Sequence, residues 1–211
     1  QVEAAVEKNL TQEFWKILTP DMGLDLLQVH VLPWNYVMAD STSTPCRLVA
    51  DPSRPDRHGR SLNGCQVKGS GYVGEVRPVL LQVRCLPVLL QGDLSSFFPS
   101  FGLIDRDKSL RRMYISKVGY GLKRELTMED VTEVVQSRMG FGDKSAAPLA
   151  VAGRIKVAKM VGAGKGKIEE VLRPEIVRSL TKNSFVDDIF AGVEHGGDLE
   201  PLKKGLEEAV S

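Results

Sequence analysis

Phe185-Val186-Asp187-Asp188-Ile189 places two carboxylates side by side between apolar flanks, with Ile189-Phe190-Ala191 following. Aromatic and β-branched flanks favour extended backbone, so the segment predicts two short strands reversing at a hairpin with the carboxylates at its tip. A two-residue tip needs φ > 0 and ordinarily carries Asn-Gly or Gly-Gly. Two aspartates fit that demand poorly, and their charges repel. At about 4 Å and an effective dielectric of about 20, the repulsion is about 4 kcal/mol. A divalent cation would turn it into attraction, so the tip is a candidate metal site.

The chain has 211 residues, enough for one large domain or two small ones with a self-sufficient core. Hydrophobic residues at 42% and charged residues at 26% are ordinary for a soluble globular protein. The net charge of +1 conceals two basic stretches. One holds Arg54, Arg57, His58, Arg60 and Lys68; the other holds Arg106, Lys108, Arg111, Arg112 and Lys117. Either can be a solvated loop or a phosphate contact. Cys46, Cys65 and Cys85 form no CxxC, which points to a reducing compartment and away from a disulfide framework or zinc site. His30, His58 and His195 lack ligand spacing and read as structural or surface residues. No apolar run approaches the ~18 residues of a membrane span. Asn9-Leu10-Thr11 fits a glycosylation sequon, with no secretory segment before it. A first residue Gln1 and a last residue Ser211 inside a helix-like run suggest a piece of a longer protein.

Apolar spacing predicts a helix over residues 2–18, with Phe14-Trp15 packing within it, and a more strand-like segment over 21–32. Short strands are expected at 36–38 and 46–51, a loop at 52–64 and an amphipathic helix at 75–84. Further strands are expected at 86–91, 110–116 and 131–136. Helices are expected at 145–160, 169–180 and 199–210. Strands and helices do not alternate strictly, so the expected class is α+β. Gly162-Ala163-Gly164-Lys165-Gly166-Lys167 resembles a phosphate loop only superficially: Walker A needs G-x4-G-K-[ST], and Val161 and Ile168 break the match. It reads as a basic connector.

A second acidic position matters. Asp93, in Gly92-Asp93-Leu94-Ser95-Ser96-Phe97-Phe98, ends an apolar strand and should project from a sheet rim. An Asp at such a position usually makes a turn or caps a helix. Combined with the Asp187-Asp188 tip, it satisfies the requirement of two-metal phosphoryl transfer: carboxylates from neighbouring strands holding two cations about 3.5–4 Å apart. Oxygen ligands favour Mg²⁺.

These residues resemble motifs A and C of reverse transcriptases. Leu32-Pro33-Trp34-Asn35-Tyr36-Val37, then Thr44-Pro45-Cys46-Arg47-Leu48-Val49-Ala50-Asp51 and Ser61-Leu62-Asn63, is similar to the fingers motif of that family. Phe141-Gly142-Asp143-Lys144-Ser145-Ala146-Ala147-Pro148 resembles motif B, a turn opening a helix beneath template and nucleotide. The order is the family's, the likeness spans residues 30 to 193, and the BEL/Pao group of LTR retrotransposons is the nearest match.

The resemblance implies a right-hand polymerase fold, a mixed or antiparallel sheet backed by helices. A fingers-like region with an N-terminal helix would span 1–85 and a palm-like region 86–211, with a fingers insertion at about 106–145; thumb and RNase H would be absent. It implies an RNA-directed DNA polymerase that adds dNMP to a primer 3′-end, with a catalytically decayed nucleic-acid-binding remnant as the alternative. Asp93, Asp187 and Asp188 would hold two Mg²⁺ ions, Mn²⁺ being able to substitute. Arg47 would fork onto the triphosphate. Phe98 would be the steric gate against a 2′-hydroxyl, and Gly142 and Ala147 would lie close to the incoming nucleotide. The implied partners are an RNA or DNA template with primer, dNTPs, and the rest of a Pol polyprotein (protease, RNase H and integrase). The implied location is a cytoplasmic virus-like particle. Met38-Ala39-Asp40 lacks the lysine usual before the arginine, Phe185 replaces a usual Tyr, Ala147 stands where Ser is common, and motif B holds one extra residue before Pro148. The isolated fragment is expected to be weakly active or inactive.

Overall fold

The structure is a computed structural model that describes residues 1–24, 30–40, 45–69, 74–121, 123–193 and 197–211. The chain opens with helix α1 (Val2–Thr11), strand β1 (Trp15–Ile17), strands β2 (Trp34–Met38) and β3 (Cys46–Ala50), and the short helix α2 (Leu62–Cys65). Helix α3 (Val76–Val83), strand β4 (Val88–Asp93), short helix α4 (Asp105–Lys108) and strands β5 (Arg112–Ser116) and β6 (Val131–Gln136) follow. The last third holds α5 (Ala146–Gly162), α6 (Arg173–Thr181), strands β7 (Ser184–Phe185) and β8 (Asp188–Val193), and α7 (Glu200–Val210). Small antiparallel sheets mixed with helices make this an α+β protein. Among the described residues no helix is long and apolar enough to cross a membrane.

Two units divide the chain: Gln1–Val67 with Phe98–Ala146, and Lys68–Phe97 with Ala147–Ser211. In the first, β6 is the central strand of the antiparallel sheet β1-β6-β5, while β2 and β3 form a separate antiparallel ribbon. Val6, Trp15, Leu32, Leu62, Met113, Ile115 and Val134 fill its core. Trp34 stands edge-on to Trp15 and to Tyr120, ring centroids 5.7 Å apart in both pairs. Such geometry aligns the ring edge of one residue with the face of the next.

The second unit is the antiparallel sheet β4-β8-β7 packed against helices. Its core joins Ala158 and Val161 of α5, Ile176 and Leu180 of α6, Ile189 and Ala191 of β8, and Leu202 and Leu206 of α7. Pro174 and Pro201 open α6 and α7, where a missing N–H costs nothing. A Cβ at Gly205 would come within 2.7 Å of Ile176 Cδ1, so glycine allows α7 to lie close on α6.

Several local expectations are corrected. The helix expected over 2–18 ends at Thr11. Glu13 takes φ 55, the chain turns, and Trp15 enters β1 opposite Gln136, where strand pairing overrides helical spacing. Within 21–32, Pro20–Met22 is a 3₁₀ turn and Val31 makes only an isolated bridge to Arg112; positions 25–29, like His195, lie outside the described residues. The loop at 52–64 closes with a helical turn, because Ser61 Oγ accepts from Gly64 N at 3.0 Å. The helix expected from 169 starts as a 3₁₀ turn, Glu170–Leu172, and becomes α-helical at Arg173. Arg111 and Arg112 do not reach solvent: both are buried, paired with Asp143 and Glu133.

Candidate active site

Pairing in the second unit fixes the acidic residues. Asp93, last in β4, is the register partner of Asp188, first in β8. Directly opposed antiparallel residues lie about 4.5–5.5 Å apart at Cα and share a sheet face. Phe185 of β7 pairs with Asp188 from the other side. Alternation does the rest: Ile189 and Ala191 point into the core, so Asp188 points to the opposite face. Leu94 N donates to Asp187 O at 3.0 Å, tying the turn back to the end of β4.

The hairpin tip differs from the expected one. Phe185 and Asp188 are paired, so the two turn residues are Val186 and Asp187, while Asp188 already belongs to the strand. Val186 supplies the positive φ, at 53°. That region suits Gly or Asn and strains a β-branched side chain, at a cost of about 1–3 kcal/mol.

Arg154 offsets the strain, and sequence reasoning missed it. It lies on α5 one turn before Ala158, on the stripe that faces the core, and is only 6% exposed. Its Nη1 donates to the Val186 carbonyl. A hydrogen bond from a charged donor contributes about 1.5–3 kcal/mol, comparable to the strain. Burial pushes the guanidinium down to about 10, against the opposing pull of Asp187. A lone arginine in an Ala- and Val-rich helix was the available signal.

Partial burial, then the like charges of Asp187 and Asp188, push the Asp93 carboxyl above the usual carboxylate range. Asp93 is nonetheless solvent-exposed, so water screens much of the effect. The strand register brings the three carboxylates into one neighbourhood. Among the described residues, no group of three or more His, Cys, Asp or Glu side chains is gathered as a metal site. As a donor set, three hard anionic oxygens on a strand end and a turn suit Mg²⁺.

The nucleotide-binding candidates divide between the units. In the first, Arg47 is exposed on β3 opposite Val37. Phe98 stacks edge-to-face on Phe141, centroids 5.3 Å apart and planes at 87°. Gly142, next to that ring, has φ 92, and a Cβ there would sit 3.2 Å from Ala50 O and Pro52 Cδ, so only glycine fits. Asn63 Nδ2 donates to Gly142 O at 2.9 Å and to Ser53 Oγ at 2.8 Å, and Asn63 Oδ1 accepts from Lys144 N at 2.8 Å. Buried Asp143 anchors the same loop, accepting from Arg111 Nη2 and Gln66 Nε2 at 3.3 Å each and from Gly140 N at 3.4 Å. In the second unit, Ala147 lies in the first turn of α5, half-buried.

Neither the models of known protein families nor the curated proteins compared with this chain give a match.

Proposed function

We propose that this chain is the fingers and palm region of a retroelement RNA-directed DNA polymerase, BEL/Pao-like in its motifs. The observation that carries the reading is the pairing of Asp93 with Asp188, with Asp187 in the adjoining turn. Residues remote in sequence thereby bring two carboxylates on neighbouring strands and a third in the adjoining turn into one neighbourhood, a donor set suited to two-metal phosphoryl transfer. Asp93, Asp187 and Asp188 would hold Mg²⁺, which when bound supplies activation of the primer 3′-hydroxyl and stabilisation of the pyrophosphate.

The chain's own residues do the positioning. Arg47 presents a guanidinium that stays charged and donates in pairs, suited to a triphosphate. Phe98 offers a flat ring under the sugar, braced by Phe141, that excludes a 2′-hydroxyl. Gly142 lets backbone approach the nucleotide. Template, primer and dNTPs are the partners, and the remainder of a Pol polyprotein in a virus-like particle is the setting.

The test is primer extension by the parent polyprotein, compared with its Asp187→Asn variant. Mg²⁺-dependent extension lost in the variant supports the reading. Duplex binding with no metal-dependent extension in either protein supports the decayed remnant instead, which the missing fingers lysine at Met38-Ala39-Asp40 favours. If extension occurs, Phe98→Ala should admit rNTPs; unchanged sugar selection removes the gate assignment.

A further inference from the structure

We propose that Arg154 is a positioning residue for the carboxylate cluster, holding the Val186–Asp187 turn in the one conformation that presents Asp187 beside Asp188 and Asp93. The proposal rests on the reading of Asp187 as a metal ligand, and its test separates the two.

An arginine is seldom this deeply buried unless an ion pair holds it. Arg154 forms no ion pair within salt-bridge distance among the described residues. Its Nε has no hydrogen-bond partner there either. The contact it does make is to a main-chain carbonyl, Val186 O, at the one residue of the hairpin with positive φ. Burying this guanidinium is therefore explained by the turn it fixes. Its stem lies on the stripe of α5 that continues into Ala158 and Val161, so the helix that builds the core also sets the reach of the guanidinium. The positive charge attracts Asp187, while Asp187 and Asp188 both repel Asp93.

Charge alone and positioning make opposite predictions. If Arg154 were only a nearby cation, removing it would strengthen divalent-ion binding, since one repulsive charge is gone. If it positions Asp187, removing it weakens binding despite the lost repulsion. The experiment uses residues 1–211, with Arg154→Met and Arg154→Lys compared with wild type and Asp187→Asn, each first shown to be folded by far-UV circular dichroism. Backbone NMR in metal-free buffer reads the Val186 and Asp187 amides, and Mn²⁺ titration reads binding.

Positioning predicts shifted, more mobile Val186 and Asp187 amides in Arg154→Met. It also predicts at least tenfold weaker Mn²⁺ binding there and intermediate behaviour in Arg154→Lys, which keeps the charge and loses the fork. Unchanged amides, or Mn²⁺ binding that is equal or tighter in Arg154→Met, overturns the proposal. Wild type that takes no Mn²⁺ while the turn still rearranges in Arg154→Met sinks the metal reading and leaves Arg154 as the residue that fixes the turn. Should Arg154→Met fail to fold, Arg154→Lys carries both readouts.

Discussion

Neutralising Asp93 should make the protein more stable, not less. The register pair with Asp188 puts the two carboxylates roughly 6 Å apart, given the about 4.5–5.5 Å Cα spacing of opposed strands. For exposed groups with an effective dielectric of about 40–80, that repulsion is about 0.7–1.4 kcal/mol. Asp187 adds to it, and the total relieved by Asp93→Asn is about 1–2 kcal/mol. At about 2–4 °C per kcal/mol for a chain of this size, Tm should rise by about 2–8 °C in metal-free, low-salt buffer at neutral pH. The pH dependence has a defined sign. The folded-state pKa of Asp93 is raised, so its contribution to stability is fully present below the unfolded value, about 3.9, and is lost as pH rises through the folded value. The gap between variant and wild type therefore opens between about pH 4 and neutrality and narrows near 1 M salt, where the Debye length falls to about 3 Å. Asp187→Asn should gain less, because Asp187 attracts the buried Arg154. Differential scanning calorimetry decides it. A lower Tm for Asp93→Asn under these conditions, or a gap that ignores both salt and pH, refutes the view that these carboxylates feel one another.

Asp143→Ala should cost about 3–5 kcal/mol in urea unfolding, because it strands the buried Arg111 guanidinium. Arg111→Met combined with Asp143→Leu should cost much less, and equal losses would show that the pair does not act as a unit. Asp130 accepts from Arg124 and from both the N–H and hydroxyl of Thr127, which hold its carboxyl well below the usual range. Asp130→Asn should therefore destabilise at neutral pH, and its deficit should shrink as pH falls through the ordinary carboxylate range toward the lower folded value. A deficit that is constant with pH would remove that charge from the account.

What the sequence made legible was whatever local composition decides. Apolar, β-branched runs announced β4, β6 and β8, and alanine content announced α5, within a residue or two of their observed ends. The carboxylate tip was readable as a hairpin because its flanks are aromatic and β-branched. Which two residues would occupy the turn was not readable, since the answer depends on the pairing of Phe185 with Asp188 across the sheet. Trp15 failed for the same reason: its partner Gln136 lies far along the chain, and tertiary pairing outweighed helical spacing. Arg111 and Arg112 counted as surface charge until Asp143 and Glu133 gave them buried partners. Arg154 was invisible because its partner is a backbone carbonyl, which carries no sequence signature.

Strand order has a consequence for synthesis. β1 waits for β6, and β4 waits for β8, so the two closures interleave along the nascent chain. The first three-stranded sheet is complete only once Gln136 has been made, and the one bearing the carboxylates only when translation nears Val193. Long-separation closure of this kind slows folding and leaves apolar edges uncovered meanwhile, so a chain cut short upstream of β8 would carry Asp93 on a strand with nothing to lie against.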